Sequence, residues 1–437
     1  MEWWITGLVL LASLIVLLLT GMPVAFVFMI INVVGVVVFW GGESGLRQLI
    51  MSMWSSVSSF TLMPIPMFIL MGEIMFRSGI APRMMDTLDK WLGRLPGRLG
   101  LLAVAGGTVF STLSGSAMAS TAMLGSVLTP EIERRGYKKA MSLGPIMGSG
   151  GLAIMVPPTN LGVLLAALAY ISVAGLLMAI IIPGLLMAAL YAAYIIIRCW
   201  LQPSIAPPYD VTLPPLSDRI KSLVLYVLPL SGIIFLVIGV IFLGIATPSE
   251  AAAIGALGSI ILAFIYKGIN RKIIKEAVGD TLRISGMVLL ILTGAAAFAQ
   301  ILAFTGASRG LVGLVTDLSL SPISVLIMMQ VILLIMGMFL EQLSIMMITL
   351  PIFMPIVNAV GINPLWFGVI MLLNMEMATT SPPFGLNLFV MKGVAPPDTT
   401  MGDIYKAALP FLGCDLIAMI LIIAFPTLAL WLPAIMR

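Results

Sequence analysis

Residues 174–199 read AGLLMAIIIPGLLMAALYAAYIIIRC, a run of 26 residues in which Arg198 is the only charged side chain. A helix needs about 20 consecutive apolar residues to cross the hydrocarbon core of a bilayer. Similar runs recur along the chain, because 61% of its 437 residues are hydrophobic and only 9% are charged. Soluble domains are about 45–50% apolar and about 25% charged. The runs are continuous rather than alternating, which predicts an all-α polytopic membrane protein and excludes a soluble enzyme, a nucleic-acid binder and a disulfide scaffold.

The residue types that are scarce or absent narrow the chemistry further. The chain has no histidine, which excludes a His-based proton shuttle, an HExxH zinc site and a Ser–His dyad. The two cysteines, Cys199 and Cys414, lie far apart in apolar stretches, where we expect buried free thiols. The start, Met1-Glu2-Trp3-Trp4, lacks the basic region and cleavage site of a signal peptide, so we interpret it as a retained first helix. We predict no enzyme activity and no cofactor.

The spacing of the prolines indicates an internal repeat. An offset of 225 residues relates prolines of the first half to prolines of the second half: Pro23 to Pro248, Pro130 to Pro355, and Pro157-Pro158 to Pro382-Pro383. A nearly equal offset of 227 relates Gly79 to Gly306 and Pro183 to Pro410. We predict two repeats, residues 1–200 and 221–437, joined by a Pro-rich polar linker at 201–220.

Apolar runs and their interruptions predict the same series in each half: three spans, an amphipathic arm, a hairpin, a broken helix and a last span. In the first half these lie at about 3–20, 22–40, 51–76, 79–95, 99–130, 138–170 and 174–199. In the second half they lie at about 221–243, 247–266, 283–304, 308–318, 322–356, 364–391 and 404–433. Half of the 99–130 run is too short to span about 30 Å, which favours a re-entrant hairpin.

This series gives five crossings in each half, and an odd number inverts the second repeat. The expected architecture is about ten full crossings plus two re-entrant helical hairpins, as in many secondary transporters. The basic residues agree with it, since 19 of the 22 Lys and Arg fall on one predicted face, with Arg47, Arg309 and Arg437 as the exceptions. Basic loops stay in the cytoplasm, so the linker is expected there and both termini outside.

Four irregular segments are predicted at membrane depth: hairpin turns at 111–116 and 337–344, and breaks at 148–160 and 374–387. Non-helical backbone is tolerated there only where it is buried in protein or lines a cavity, and its carbonyl groups suit hard cations. A first cation site is predicted with the ligands Ser114, Gly115, Ser116, Gly150, Gly151, Ile154 and Val156. The second is predicted with the ligands Gly337, Phe339, Glu341, Thr379, Thr380 and Ser381.

Polar residues that follow the two Pro-Pro pairs are candidate contacts of a polar substrate: Thr159, Asn160, Gly385 and Asn387. Asn387 could equally form a hydrogen bond between helices. The alternative interpretation of both cation sites is that small residues there only let helices pack closely.

Five acidic residues lie within or beside predicted spans, where ionisable groups are costly and often functional: Glu73, Glu250, Glu341, Glu376 and Asp415. No basic residue is predicted at the same depth, so we expect no ion pairing for them. We favour Glu341 as an ion ligand or gating residue, and Glu376 stays open between a functional and a structural role. Glu73 and Glu250 are expected to cap helix ends, and Asp415 to bond to a neighbouring helix.

Several of these stretches resemble the large membrane subunit of tripartite ATP-independent periplasmic (TRAP) transporters. The resemblance covers nearly the whole chain and rests on the motifs FSTLSGSAMASTAMLG at 110–125, Pro130-Glu131 with Arg135-Gly136-Tyr137, Val156-Pro157-Pro158, GMFLE at 337–341 and SPPFGLNLF at 381–389. The family usually has Asp where this chain has Glu341, and Thr where it has Ser381. Both substitutions keep an oxygen ligand but change its reach.

The resemblance implies sodium-coupled import of a small organic acid that a periplasmic substrate-binding protein delivers. It also implies sodium at both cation sites, a separate four-helix membrane subunit as partner, and an elevator-type movement of hairpins and broken helices. The expected location is the cytoplasmic (inner) membrane of a bacterium or archaeon. A passive channel or facilitator for small anions is the alternative function, and the residues do not identify the solute.

Overall fold

The computed structural model describes residues 2–93, 95–207 and 214–436, apart from the side chains of Ala81, Ser111, Leu113 and Ser114. These residues form helices, turns and irregular segments, with no strand among them, which confirms the all-α prediction. The first half contains α1 (Trp3–Leu19), α2 (Val24–Phe39), α3 (Glu43–Val57), α4 (Pro64–Arg77), α5 (Ile80–Leu92), α6 (Arg98–Ser114), α7 (Ala117–Arg134), α8 (Lys139–Gly151), α9 (Asn160–Leu168), α10 (Val173–Ala179) and α11 (Ile181–Leu201). The second half contains α12 (Leu216–Ser222), α13 (Leu228–Phe242), α14 (Pro248–Ile265), α15 (Arg271–Phe304), α16 (Ala307–Asp317), α17 (Pro322–Gly337), α18 (Gln342–Ala359), α19 (Pro364–Thr380), α20 (Leu386–Val394), α21 (Met401–Ala424) and α22 (Thr427–Ile435).

Seven helical stretches in the described ranges are long and apolar enough to cross a membrane. They are Phe60–Arg77, Val173–Leu201, Leu216–Phe242, Pro248–Ile265, Arg271–Phe304, Gln342–Ala359 and Met401–Ala424. Shorter apolar helices accompany them at Trp3–Leu19, Val24–Phe39, Arg98–Phe110 and Pro322–Gly337. The chain is therefore a multi-pass helical membrane protein.

Three predicted spans have different bounds in the structure. The span expected at 51–76 is two helices, α3 and α4, separated at residues 58–63; α4 starts on Pro64, which needs no intrahelical hydrogen bond there. The span expected at 283–304 begins earlier, at Arg271, because Asn270 caps α15 by accepting from the Ile273 N–H. The last span is interrupted at Pro426 and continues as α22. Residues 208–213 of the predicted linker lie outside the described residues.

Both predicted hairpins are present, with shorter turns than expected. Helices α6 and α7 are joined by Gly115 and Ser116 alone, and the Ser116 hydroxyl caps α7 by accepting from the Ala119 N–H. Gly115 has a φ of +59°, a left-handed conformation that favours glycine. Helices α17 and α18 are joined at residues 338–341, and the Glu341 carboxylate caps α18 by accepting from the Ser344 N–H at 3.3 Å.

Both broken helices are also present, but their breaks are narrower than predicted. Residues 148–151 complete α8, and the chain leaves helical geometry only after the single 3₁₀ turn Leu152–Ile154, resuming at α9. Residues 374–380 complete α19, and the break before α20 covers 381–385. The prediction of irregular backbone at 148–151 and 374–380 was therefore wrong. The Pro-Pro pair lies inside each observed break, and both Pro–Pro peptide bonds are cis.

Close packing explains why the glycine-rich end of α8 stays helical. A Cβ atom on Gly144 would lie 2.6 Å from the Ala407 carbonyl oxygen of α21, and one on Gly148 would lie 2.7 Å from Cδ1 of Phe411. Glycines there let two helices approach closely, which is how helices associate where no water drives them together. The interrupted helices thus form the centre of the molecule, since α8 from Met141 and α19 from Phe367 are buried to their ends.

An ion pair between the start of α8 and the loop before α21 reinforces the contact between α8 and α21. The Lys139 ammonium, at the start of α8, donates to an Asp398 carboxylate oxygen at 2.7 Å in the loop before α21. This hydrogen bond holds the pKa of the Asp398 carboxyl below its usual range. The same ammonium lies 3.7 Å from the Asp403 carboxylate, which belongs to the capping box of α21.

We expect Gly144→Ala to destabilise the fold by about 1–3 kcal/mol, because its methyl group would overlap backbone of α21. The measurement is thermal unfolding of the purified protein in detergent. The matched control is Gly239→Ala in α13, where a Cβ meets nothing within 4 Å and better helix propensity makes the change neutral or stabilising. Equal melting temperatures for the two variants would contradict this account of the α8–α21 contact.

Candidate functional site

A cavity of about 380 Å³ lies where the hairpin turns and the interrupted helices meet. Gly115 and Ser116 from the first turn, and Glu341 from the second, lie in its wall. Asn160 and Thr379 join them from the two interrupted helices. Helices α4 and α15 close the other side with mainly apolar side chains, among them Ile65, Ile69, Ile284, Met287 and Val288. The structure therefore brings residues from both predicted cation sites to one cavity.

The first turn is shaped by its contact with Asn160. A Cβ atom on Gly115 would lie 2.9 Å from Nδ2 of Asn160, so the turn has no room for a side chain as well as an unusual φ. The Asn160 Oδ1 atom is buried and accepts no hydrogen bond from the residues that the structure describes. Ser114 ends α6, and its side chain lies outside the described part of the chain.

Two buried threonine hydroxyls lie at the first interrupted helix. Thr121 Oγ1 would lie 2.0 Å from a Cβ on Gly150, which places this hydroxyl directly against the backbone of α8. Neither Thr121 Oγ1 nor Thr159 Oγ1 has a hydrogen-bond partner within the described ranges. Sequence reasoning missed Thr121, although it lies inside the stretch 110–125. Of the first predicted set, Gly115, Ser116 and Ile154 line the cavity, whereas Gly150, Gly151 and Val156 are not among its described lining residues.

Hydroxyl groups also collect at the end of α19. Thr379, Thr380 and Ser381 donate back to helix carbonyls, at 2.8 Å to Glu376, 3.3 Å to Met377 and 2.8 Å to Met377 respectively. Each hydroxyl has thereby donated its proton, so its oxygen can act only as an acceptor or as a cation ligand.

The other members of the second predicted set have different surroundings. Gly337 packs against α19, since a Cβ there would lie 2.4 Å from the Ala378 Cβ, which explains the glycine by close packing. Phe339 is 63% exposed, and its ring centroid lies 5.9 Å from that of Phe384. Of this set, Glu341 and Thr379 line the cavity.

The predicted substrate residues separate into two groups. Asn160 lines the cavity, whereas Thr159, Gly385 and Asn387 are not among its described lining residues. The Asn387 amide donates to Thr379 Oγ1 at 3.2 Å, and a Cβ on Gly385 would lie 2.5 Å from the Thr379 carbonyl oxygen. These two residues therefore support the end of α19, and a substrate contact for them stays a prediction.

A charged cluster at the cavity wall corrects one expectation. Arg77, at the end of α4, donates to Glu73 at 3.0 Å, to Glu276 at 2.8 Å and to Asp280. The prediction that Glu73 lacks a basic partner and caps a helix end was therefore wrong. The spacing of Glu73 and Arg77, four residues apart on one helix, was the available signal. Arg77 and Glu73 both line the cavity.

Two other acidic residues behave as predicted. Glu250 forms a capping box with Thr247 at the start of α14. Asp415 in α21 accepts a hydrogen bond from the Tyr191 hydroxyl of the neighbouring helix α11. The cysteines Cys199 and Cys414 are buried and free, as expected.

A helical membrane chain whose hairpin turns and interrupted helices meet at an internal cavity has the architecture of a membrane transporter. Comparison with known proteins agrees and is more specific. The chain belongs to the DctM component family of tripartite ATP-independent periplasmic transporters, whose family model matches residues 11–428. This confirms the resemblance to the large TRAP subunit, and the family is one of transporter subunits rather than of enzymes.

Individual relatives support the same assignment. The chain is 33% identical over 390 residues to the C4-dicarboxylate TRAP transporter large permease protein DctM of Pseudomonas aeruginosa, covering 89% of each chain. It is 32% identical to the isethionate TRAP transporter permease protein DctMQ of Oleidesulfovibrio alaskensis, covering 86% of this chain and 59% of that protein. Its fold is similar to that of the YdaH transporter of Alcanivorax borkumensis, with a TM-score of 0.65 at 16% identity and coverage of 87% and 88%.

We expect Arg77→Met to lower the thermal stability more than Glu73→Gln. Arg77 is shared by three carboxylates, so Arg77→Met removes all three ion pairs, whereas Glu73→Gln removes one. Leaving several carboxylates near each other without a counter-charge costs more than losing one partly exposed pair, which contributes about 0–1 kcal/mol. The measurement is the melting temperature in detergent at low and high salt. Glu43→Gln, from the exposed pair with Arg47, is the control and should change nothing measurable. Equal effects of Arg77→Met and Glu73→Gln would show that the cluster does not act through Arg77.

Proposed function

We propose that this chain is the large membrane subunit of a sodium-coupled importer of a small organic acid. Membership of the TRAP family supports secondary transport of organic acids. The observation that carries the proposal is the cavity of about 380 Å³ at which both hairpin turns and both interrupted helices meet. Its volume falls in the range of about 300–1,000 Å³ that is usual for small-molecule sites.

The first proposed sodium site lies between the turn of α6 and α7 and the end of α8. It keeps Ser114, Gly115, Ser116, Gly150, Ile154 and Val156 and adds Thr121, whose buried hydroxyl lies against Gly150. Gly151 is left out, because its Cα faces the Glu376 side chain. Hydroxyl and backbone carbonyl oxygens are the ligand type that a hard cation prefers.

The second proposed sodium site lies between the turn of α17 and α18 and the end of α19. It keeps the predicted Gly337, Phe339, Glu341, Thr379, Thr380 and Ser381. Support comes from the three hydroxyls of α19 that have already donated their protons, and from Glu341, whose carboxylate lies at the cavity wall. The solute is proposed to bind between the two turns, beside Asn160.

The same cavity offers one contact for a solute carboxylate. Arg77 is the basic side chain among its described lining residues, and three of its guanidinium N–H groups are used by Glu73, Glu276 and Asp280. A guanidinium has five N–H donors, so two remain for a solute carboxylate.

An inverted repeat of residues 1–200 and 221–437, with about ten crossings, remains our proposal for the topology. Helix bounds support it, since α7 at Ala117–Arg134 and α18 at Gln342–Ala359 differ by 225 at both ends. Gly136 and Gly361, at the same offset, have left-handed φ angles of +75° and +74°. The positive-inside rule then places the linker in the cytoplasm and both termini in the periplasm.

Transport is proposed to follow an elevator mechanism in the inner membrane, in which the hairpins and interrupted helices, α6–α9 and α17–α20, move as one body. Helices α21 and α11 move with them, because α21 packs closely on α8 and is hydrogen-bonded to α11. The remaining large helices, with α4 held to α15 through Arg77, form the static part. The proposed partners are a periplasmic substrate-binding protein and a separate four-helix membrane subunit. The likeness to the longer DctMQ chain, of which this chain covers 59%, supports such a partner.

The test is uptake by proteoliposomes that contain the complete transporter with its partner subunit and binding protein. The solute is first identified by a thermal-shift screen of the binding protein. We expect accumulation against a gradient that depends on inward sodium, whereas equilibration without accumulation would indicate a passive facilitator.

We expect Ser116→Ala and Thr121→Val each to raise the sodium concentration for half-maximal uptake about tenfold, which corresponds to about 1.4 kcal/mol of binding free energy. Ser126→Ala is the control, because this exposed hydroxyl on the same helix α7 only donates to the Met123 carbonyl. Unchanged sodium dependence in both test variants would remove the first site from the proposal.

A further inference from the structure

Glu376 is an acidic residue at the centre of the molecule. It belongs to neither of the two proposed sodium sites at the hairpin turns. It lies in α19, its side chain is 0% exposed, and neither carboxylate oxygen receives a hydrogen bond from any described residue. An isolated carboxylate in a low-dielectric interior costs several kcal/mol unless a positive charge or donors offset it. The negative charge of Glu376 must therefore be neutralised in the folded chain, by a bound cation or by a proton.

The Glu376 carboxylate joins the two interrupted helices. A Cβ atom on Gly151 would lie 1.5 Å from Oε1 of Glu376, so α8 ends in a glycine where this carboxylate approaches its backbone. The two residues are 225 apart, the offset of the proposed repeat. Gly151 and Glu376 are therefore equivalent positions of the two proposed repeats. Contact between equivalent positions is expected where a pseudo-two-fold axis passes.

A second buried carboxylate faces the first. Asp415 in α21 is 1% exposed. It follows Phe411, which packs against Gly148 of α8, by four residues, so it lies one helical turn farther along the α8–α21 contact, at the level where Glu376 meets Gly151. It accepts from the hydroxyl of Tyr191 in α11, a fully buried side chain whose own oxygen keeps its lone pairs free. The group therefore consists of oxygen atoms from three helices, the ligand type that sodium and other hard cations prefer.

Basic side chains on the helices packed around this group are engaged or distant. Lys139 of α8 pairs with Asp398, and Lys392 of α20 donates to the Thr399 carbonyl. Arg198 follows Tyr191 by seven residues and Lys406 precedes Asp415 by nine, which is roughly 10 and 14 Å along their helices. Cys414 is the further titratable neighbour, and it is buried and free. Within the described ranges, Asp415 thus accepts from the Tyr191 hydroxyl, Glu376 accepts from no donor, and neither carboxylate has a basic partner.

We propose that Glu376, Asp415 and Tyr191 form an additional buried sodium site, separate from the two sites at the hairpin turns. The choice of sodium rests on the proposed function, whereas the need to neutralise the group rests on the buried carboxylates. An ion held there would bridge α19, α21 and α11 while Glu376 remains against α8. Its binding would fasten the two halves together at their axis.

The test counts bound sodium in the complete transporter in detergent by equilibrium binding of radioactive sodium. Glu376→Gln and Asp415→Asn preserve side-chain shape and should each lower the count by one ion per chain. Tyr191→Phe should weaken the affinity of that ion without removing the others. Glu250→Gln is the control, because this carboxylate caps α14 and lies outside the group, so the count should stay unchanged.

A second measurement needs no variant. Addition of sodium, but not of potassium, should shift carboxylate bands in the infrared difference spectrum of the wild-type transporter, and the shift should shrink in any variant that folds.

An unchanged ion count in Glu376→Gln and Asp415→Asn, with sodium still bound at the turns, would overturn this site and leave the proposed function standing. A protonated carboxylic acid band in the sodium-saturated wild type that Glu376→Gln removes would also overturn it, since a proton then occupies the group. Absence of any sodium binding would contradict the proposed function itself.

Discussion

The structure depends on the glycines along α8, which let neighbouring groups approach its backbone. Four glycines of this helix face groups that leave no space for a Cβ atom: Gly144 faces backbone of α21, Gly148 faces Phe411, Gly150 faces Thr121 and Gly151 faces Glu376. Lipid gives helices no hydrophobic reason to associate, so stability comes from close packing of this kind. The same contacts fix the ends of the interrupted helices, and with them the position of every candidate ligand around the cavity.

Much of the architecture follows from local patterns in the sequence. Long apolar runs identify spans, and a Pro-Pro pair identifies each break, because proline cannot continue the hydrogen bonding of a helix. Contacts between distant segments decide the rest. The sequence from Gly148 to Gly151 predicts an irregular segment, yet these residues are helical and pack closely against distant residues: Gly148 against Phe411 and Gly151 against Glu376. The early start of α15 at Arg271 was missed because a single asparagine cap determines it.

The sequence predicted the candidate-site residues that lie in a recognisable turn or helix break. Gly115, Ser116, Asn160, Glu341 and Thr379 were expected from turns and breaks, and all five line one cavity. Thr121, which lies against the end of α8, and Arg77, which lies at the cavity wall, were not expected, because only the packing of α7 on α8 and of α4 on α15 places them there. Glu376 remained open for the same reason, since its surroundings come from three other helices. Sequence spacing can thus identify a residue as unusual without showing what it faces.

The close contact between α8 and α21 also affects how the chain must be made. Gly144 and Ala407 are 263 residues apart, so at about 5–20 residues per second the ribosome needs roughly 10 to 50 s between them. During that interval Gly144 and Gly148 of α8 have no α21 to pack against, and Tyr191 has no Asp415 to which it can donate. The surfaces of the first half that later contact α21 must therefore be covered by lipid, the insertion machinery or neighbouring helices until the second half is inserted.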